Sequence, residues 1–236
     1  EDGIRDRDVT GVQTCALPIW GGSNGVAIGR DGRTVWATDR CSPGIAPGCL
    51  GTRANPVHHF DASGREIRSF GGGMFVWPHG IHVDRDGNVW VTDARTASAD
   101  ERTRFPGEDN KGSVVVKFNP EGKVLMTLGT PGVRGNPPHA LTDPTDVVTD
   151  PENGDVYVAE SHTDVTDPAL VGRISVFDRE GRFKRTLGRT GTGPGEFRTP
   201  HALGPGRHAD EVHRNQRLGN GGSWKTKGTR GLAHGC

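Results

Sequence analysis

The sequence predicts an all-β fold, and more specifically a β-propeller built from repeated four-stranded sheets. Two strand–turn–strand patterns alternate along the chain at regular spacing. The composition is also rich in turn-forming residues, with Gly 37 and Pro 16 among 236 residues. Hydrophobic residues make up only 31% of the chain, which suits a β protein with many turns.

The first pattern is an alternating apolar run, a polar turn and a second run that ends in an acid. It occurs as GVAIGRDGRTVWATD at Gly25–Asp39, as GIHVDRDGNVWVTD at Gly80–Asp93 and as DVVTDPENGDVYVAE at Asp146–Glu160. Alternating runs that flank an Asp-, Gly- or Asn-rich turn are typical of β-hairpins. We call these the inner hairpins.

The second pattern lies between the copies of the first and predicts outer hairpins. It covers His58–Gly71, Val115–Gly129 and Ile174–Gly188, and each copy ends in glycine. An inner and an outer hairpin together predict four strands per unit. Insertions of unequal length separate the two hairpins, at Cys41–Pro56, Arg95–Gly112 and Ser161–Gly172.

Tandem four-stranded sheets favour a propeller, because one sheet cannot bury both its faces and neighbouring sheets must stack. A β-sandwich would not explain the regular pairing of two hairpin types. Three units are complete, and a fourth begins at Thr199–Leu203. We therefore expect an incomplete propeller of about three blades plus the start of a fourth.

The two ends of the chain differ from this repeat. Residues 1–19, EDGIRDRDVTGVQTCALPI, resemble the in-frame translation of a common short-read sequencing adapter, so we expect a non-native segment there. Alternation stops after Leu203, and the remaining residues are poor in strand formers. The expected organisation is an adapter-like segment at 1–19, a partial propeller at 20–203 and a disordered or out-of-frame tail at 204–236.

Charge and cysteine content limit the possible partners. Lys+Arg 29 balance Asp+Glu 29, which gives no reason to expect nucleic acid as a partner. No apolar run reaches the roughly 20 residues that span a bilayer. Cys41 and Cys49, in DRCSPGIAPGC, are either a small disulfide loop, which would imply an oxidising compartment, or two unpaired loop thiols.

Two histidines occupy equivalent positions in alternate units. His79 and His201 each follow a proline and precede the core of an innermost strand, where the other two units carry Asn24 and Thr145. Innermost strands line the axis of a propeller, so these positions should converge. Three histidines with one open position are a ligand set of catalytic zinc. The alternative is that both histidines simply line the channel or form hydrogen bonds there.

The acids that close the inner hairpins also allow two interpretations. Asp39, Asp93 and Glu160 recur in every unit, and channel acids bind calcium in lactonase-type propellers. Recurrence in every unit instead favours bonding of side chain to backbone. His58 and His59 begin an outer hairpin, and we expect them to face solvent.

The motifs WPHGIHVDRDGNVWVTD and GTGPGEFRTPHAL resemble NHL repeats, which are usually found in six-bladed propellers. With DPTDVVTDPENGDVYVAE, they are similar to the lyase domain that cleaves peptidyl-α-hydroxyglycine to an amidated peptide and glyoxylate. The resemblance covers about Gly21–Leu203. It implies zinc ligands at His79 and His201, with a third histidine from a later blade.

The same resemblance implies further site residues. The family's active-site arginine would fall on Arg40 of ATDRC, and its catalytic tyrosine falls on His162 of VAESH, where a histidine could serve as a base. A structural calcium ion would be bound by the backbone carbonyls of Val26 and Ile81. In this interpretation zinc acts as a Lewis acid on the substrate hydroxyl, and the arginine orients a carboxylate.

The sequence therefore leads to two functional hypotheses. The first is a fragment of a zinc-dependent peptidyl-α-hydroxyglycine amidating lyase-like protein, secreted or periplasmic, with no activity expected from this chain as it stands. The second is a non-catalytic NHL-repeat propeller that serves as a ligand- or protein-binding scaffold. Both place a small molecule or peptide at the mouth of the channel.

Overall fold

The computed structural model describes residues 21–42, 48–162, 170–204 and 213–216. Within them, three antiparallel four-stranded sheets follow one another along the chain, each with its strands in sequence order. The first blade comprises β1 (Val26–Ile28), β2 (Val35–Thr38), β3 (Val57–Phe60) and β4 (Glu66–Phe70). The second comprises β5 (Pro78–Val83), β6 (Val89–Asp93), β7 (Val114–Phe118) and β8 (Val124–Leu128), with helix α1 (Ala99–Arg104) between β6 and β7.

The third blade comprises β9 (Pro144–Thr149), β10 (Val156–Glu160), β11 (Arg173–Phe177) and β12 (Phe183–Leu187). A short parallel pair follows, β13 (Arg189–Thr190) and β14 (Glu196–Phe197), and then β15 (Pro200–Gly204) pairs with β16 (His213–Gln216). The predicted hairpins are all present. The segments predicted at 1–19 and, for the most part, at 204–236 lie outside the described residues, so those domain boundaries stay predictions.

The blades stack face to face, as the repeat predicts. Alternate residues of β6 and β7 point to opposite sides of the second blade. Val91 and Val116 pack with Trp36 and Phe70 of the first blade, whereas Trp90 joins a cluster with side chains of the third blade. The middle strands of the second blade, β6 and β7, are therefore buried on both faces. The fold prediction, an incomplete β-propeller of NHL-repeat type, is confirmed.

The innermost strands β1, β5, β9 and β15 lie side by side along the axis. The opposite end of each blade is closed by the repeated glycine after its outer hairpin. Gly71, Gly129 and Gly188 all have a positive φ, between 68° and 87°. A side chain is strained in this left-handed conformation, which explains why each repeat carries glycine there.

The acids at the ends of the inner hairpins bind backbone amides. Asp93 accepts hydrogen bonds from the amides of Val76 (2.8 Å) and Trp77 (2.5 Å), in the segment that leads into β5. Asp39 accepts one from Gly21 (2.6 Å), and Glu160 accepts one from Thr142 (2.6 Å). The structural interpretation of these acids, in which the side chain bonds to the backbone, is confirmed.

The expectation that His58 and His59 face solvent is wrong. His58 is only 5% exposed, and its Nδ1 lies 2.9 Å from Glu66 Oε2. The ring of His59 stacks on Trp36, with 3.8 Å between ring centroids. Both lie on β3, which pairs with β2 on one side and β4 on the other, so neither occupies a sheet edge.

The first prediction concerns Asp93. Asp93→Asn leaves one oxygen for two amide donors and turns an NH2 group toward one of them. We expect the free energy of unfolding to fall by about 1–3 kcal/mol, as measured by urea denaturation. Asp86→Asn, at an exposed turn carboxylate beside Arg85, is the control and should change it little. An equal effect of both substitutions would contradict the structural role of Asp93.

The second prediction is the pH dependence of this difference. Burial raises the pKa of the Asp93 carboxyl group to about 7, against the lowering effect of the two amides. The folded protein therefore binds the proton of the Asp93 carboxyl group more tightly than the unfolded chain does. The stability that this protonation contributes is complete below pH 4 and is lost as the pH rises through 7. The deficit of Asp93→Asn relative to the parent should therefore shrink between pH 5 and pH 8. A constant deficit in urea titrations at both pH values would contradict this.

Candidate metal centre

Neighbouring innermost strands bring His79, Thr145 and His201 to one end of the axis. His79 lies on β5, Thr145 on β9 and His201 on β15, and β9 contacts both of the other strands. Prolines precede both histidines, and a proline fixes its own φ and keeps the residue before it extended. The convergence that the repeat positions predicted for His79 and His201 is present, with their ring centroids 4.6 Å apart.

His79 is held in one orientation. Its side chain is buried, with 3% of the residue exposed. Its Nδ1 lies 2.7 Å from the backbone carbonyl oxygen of Thr145. A carbonyl only accepts, so Nδ1 carries the proton and donates it, and the lone pair is left on Nε2. That Nε2 atom is buried and has no hydrogen-bond partner among the described residues.

His162 joins these two histidines from the loop after β10. Its ring centroid lies 5.0 Å from that of His79 and 5.7 Å from that of His201. One ring nitrogen from each of the three lies within 4.8 Å of the others. His162 and His201 are exposed, so the cluster has one buried wall and opens to the channel mouth.

The surroundings keep His79 and His162 neutral. Burial, followed by the charges of His201 and His162, lowers the pKa of His79 to about 3. Burial, followed by the charges of His201 and Arg40, lowers the pKa of His162. A neutral imidazole has a free lone pair at pH 7, and metal ligands must be in this form.

The three-histidine cluster could hold a metal ion. The observation that fits a metal is the Nε2 of buried His79, which no described residue satisfies, since a buried polar atom without a partner is costly. A ligating histidine usually donates its other ring N–H to a carbonyl or carboxylate, and His79 does so with Thr145. The roles of His79 and His201 as ligands remain predictions.

Arg40 lies near the cluster in the loop that follows β2. Its guanidinium carbon is 4.2 Å from the centroid of the Trp77 ring, and that of Arg95 is 4.6 Å from it. Burial, followed by the charge of Arg95, lowers the pKa of Arg40 to about 10, so the group stays charged at neutral pH. Its buried Nε has no partner among the described residues, whereas Arg95 forms two hydrogen bonds with Glu101.

A disulfide joins Cys41 and Cys49 after β2, which confirms one of the two interpretations of this pair. The Cys49 amide donates to the carbonyl of Val76, at 3.0 Å. Because Arg40 directly precedes Cys41 and Val76 precedes Trp77, these bonds attach the loop of the first blade to the tryptophan of the second.

The remaining site residues of the sequence prediction are less informative. Val26 lies on β1 and is 66% exposed, and Ile81 lies on the neighbouring strand β5 and is 7% exposed. Nothing in the structure tests calcium binding by their carbonyls, so this stays a prediction. Sequence reasoning assigned His162 to the site as a base, but it did not foresee that Thr145 orients His79. The available signal for Thr145 was the repeat alignment, which makes position 145 equivalent to position 79.

The fold and the site together define the chain as an NHL-type propeller with a histidine cluster at the mouth of its axis. No protein-family model matches the chain. Over 152 residues it is 30% identical to peptidylglycine alpha-amidating monooxygenase of Rattus norvegicus, an alignment that covers 62% of this chain and 13% of that protein. The resemblance to peptidyl-α-hydroxyglycine α-amidating lyases is confirmed, at the level of sequence similarity, by lyases of Caenorhabditis elegans and Drosophila melanogaster.

Two further relatives agree with this similarity. A probable peptidyl-alpha-hydroxyglycine alpha-amidating lyase of Caenorhabditis elegans is 30% identical over 139 residues, which cover 58% of this chain and 33% of that protein. NHL repeat-containing protein 3 of Mus musculus is 28% identical over 131 residues, covering 53% and 33%. Among solved structures, a gluconolactonase of Xanthomonas campestris aligns with a TM-score of 0.49 and 14% identity, over 82% of this chain and 54% of that one. The chain thus spans only part of each relative.

The third prediction tests the disulfide. In a Cys15→Ser, Cys236→Ser background only Cys41 and Cys49 remain. Reduction with dithiothreitol should then lower the free energy of unfolding by about 2–3 kcal/mol, because the unfolded chain regains the freedom of a short closed loop. The same background with Cys41→Ala and Cys49→Ala is the control and should not respond to dithiothreitol. If dithiothreitol leaves the free energy of unfolding of the Cys15→Ser, Cys236→Ser protein unchanged, the disulfide is refuted.

Proposed function

We propose that this chain is part of a zinc-dependent lyase that acts on substrates ending in α-hydroxyglycine. The observation that carries the proposal is the buried Nε2 of His79, which has no hydrogen-bond partner in the part of the chain that the structure describes and lies in one cluster with His162 and His201. The similarity to a probable peptidyl-alpha-hydroxyglycine alpha-amidating lyase supports the choice of reaction.

The donor atoms favour zinc as the metal. Neutral imidazole nitrogens suit zinc, and no thiolate is in the described cluster. In this proposal His79 and His201 bind the ion. Bound there, zinc supplies Lewis acidity, which lowers the pKa of a coordinated oxygen group. The contribution of the protein is to hold His79 rigid through Thr145 and to leave one side of the cluster open.

Arg40 supplies the second recognition element of the proposal. Its guanidinium is charged and rests on the face of Trp77, and its Nε is unpaired as far as the described ranges extend. A guanidinium binds a carboxylate through two parallel hydrogen bonds. Arg40 would therefore hold the terminal carboxylate of the substrate while its hydroxyl lies at the histidine cluster.

His162 occupies the position of the family's catalytic tyrosine. A neutral imidazole can accept a proton or bind a metal, and the lowered pKa of His162 suits both roles. The sequence-based proposal gives it the role of base, which would take the hydroxyl proton as the C–N bond breaks.

The replacement of tyrosine by His162 is also the observation that favours the alternative function. A propeller that keeps the metal and the arginine but lacks the family's base would bind the ligand without cleaving it. The lyase proposal and this scaffold proposal share Arg40 and the metal. They differ in whether glyoxylate is released.

Localisation and other partners are part of the proposal. The Cys41–Cys49 disulfide supports an oxidising compartment, hence secretion or the periplasm. The described helix, α1, lacks the length and apolar character of a membrane span. A structural calcium ion at Val26 and Ile81 would be a second cofactor.

The fourth prediction tests Arg40. For the zinc-loaded chain, Arg40→Ala should weaken binding of an N-acyl-α-hydroxyglycine about tenfold to a hundredfold, because a charge-assisted hydrogen bond is worth about 1.5–3 kcal/mol. Arg40→Lys should lose part of this affinity, since an ammonium group cannot form the paired bonds. Calorimetry measures both variants.

Two controls accompany this test. The corresponding N-acyl amide lacks the carboxylate and should bind the parent and Arg40→Ala equally. Arg33→Ala, at an exposed turn, should bind the acid like the parent.

Glyoxylate is assayed with this chain, where we expect none, and with the full reading frame that contains it. Zinc-dependent glyoxylate release by the latter supports the lyase; ligand binding without release supports the scaffold.

A further inference from the structure

We propose that His162 is the third ligand of the metal, so that β5, the loop after β10 and β15 together provide a complete three-imidazole site. This inference rests on the proposed function only in using the same ion. It differs in the role of His162, which becomes a metal ligand and not a base, and in needing no histidine from a later blade.

The backbone places His162 at the axis through its neighbour Ser161. The Ser161 amide donates to the carbonyl of Asp143, at 3.0 Å, and its hydroxyl donates to the carbonyl of Arg198, at 3.0 Å. Ser161 is 1% exposed. The residue before His162 is thus fixed to the entry of β9 on one side and to the segment leading into β15 on the other. The site of His162 is therefore set by the same strands that carry the other members of the cluster.

The geometry makes His162 equivalent to His201. The ring centroids of His162 and His201 lie 5.0 Å and 4.6 Å from that of His79. The three ligand atoms lie within 4.8 Å of one another. Nitrogens that share a tetrahedral zinc ion at about 2.0–2.1 Å are roughly 3.4 Å apart. The exposed rings of His162 and His201 can cover this difference by rotation, while His79 stays fixed.

The charges around the cluster also favour a ligand over a base. A histidine that works as a base is usually oriented by a third group. The acid that acts on the charge of His162 is Asp143, and Arg134 already binds both oxygens of Asp143, at 2.9 and 2.7 Å. The remaining charged neighbour is Arg40, a cation. The neighbours of His162 are thus the cation Arg40 and two imidazoles, which could share a metal ion with it.

The test is direct metal binding by the 236-residue chain. Co²⁺ is titrated into metal-free protein and followed by its visible absorption, and Zn²⁺ affinity is measured by competition. We expect one equivalent of metal for the parent. His162→Ala and the similarly sized His162→Gln should each weaken metal binding by at least about tenfold. This is the lower end of the loss that follows from changing a group that only hydrogen-bonds to a ligand, and the removal of a ligand should cost no less. Both variants should also alter the Co²⁺ spectrum, as a change of ligand set requires.

The controls separate this inference from the proposed function. His139→Ala removes an exposed histidine outside the cluster and should bind metal like the parent. Circular dichroism of the metal-free variants checks folding. X-ray absorption of the Zn²⁺-loaded parent should count three imidazoles, a result that does not depend on any variant.

Each outcome decides something. If His79→Ala abolishes binding while both His162 variants keep the parental affinity and spectrum, His162 is not a ligand and the inference fails, but the proposed metal site stands. If the parent binds no metal, or X-ray absorption finds no imidazole, both fail. Loss of binding in His162→Ala and His162→Gln together with three imidazoles in the parent establishes the inference, whether or not the protein proves to be a lyase.

Discussion

Hydrogen bonds from threonine hydroxyls to carbonyls of the next innermost strand hold the axis of this propeller together. Thr38 donates to the carbonyl of His79, at 3.0 Å, and Thr92 donates to that of Thr145, at 3.2 Å. Both hydroxyls also accept a backbone amide of their own inner hairpin, from Gly25 and Gly80 respectively. Each bond spans two blades and is shielded from water, where an unmade bond is costly. The spacing of the innermost strands, and with it the convergence of the histidines, depends on this series.

The third blade maintains the series in a different way. Ala159 stands at the position of Thr38 and Thr92, so the expected hydroxyl is absent. Thr145 supplies it, donating to the carbonyl of Pro200 at 2.9 Å, while its own carbonyl accepts His79 Nδ1. Thr145 therefore connects the two strands that carry the proline-linked histidines. A residue without a catalytic group thus determines both the tautomer of one histidine and the position of the other.

Most of the fold was predictable because the sequence repeats, and each repeat must form the same hairpins and bury the same faces. The inner and outer hairpins, the left-handed glycines and the bonded acids occur in every unit, and each copy supports the interpretation of the others. The meeting of His79 and His201 followed from repeat position alone. The insertions have no such copies. His162, Arg40 and helix α1 all lie in or beside segments of unequal length, so alignment between units gives no position for them. The capping box Ser98–Glu101 at the start of α1 was a local signal that could have been used.

The buried Asp93 also helps to set the distance between Arg40 and His79. It accepts a hydrogen bond from the amide of Trp77, whose ring lies under the Arg40 guanidinium. Only Pro78 separates Trp77 from His79 in the sequence. Proline restricts the backbone on both sides of itself, so the guanidinium and the imidazole stand at the ends of a short, stiff segment of chain. A molecule that touches both must carry its two polar groups at a matching separation. In the proposed function, the number of bonds between those two groups would therefore be what selects a ligand, with no need for a pocket that encloses the rest.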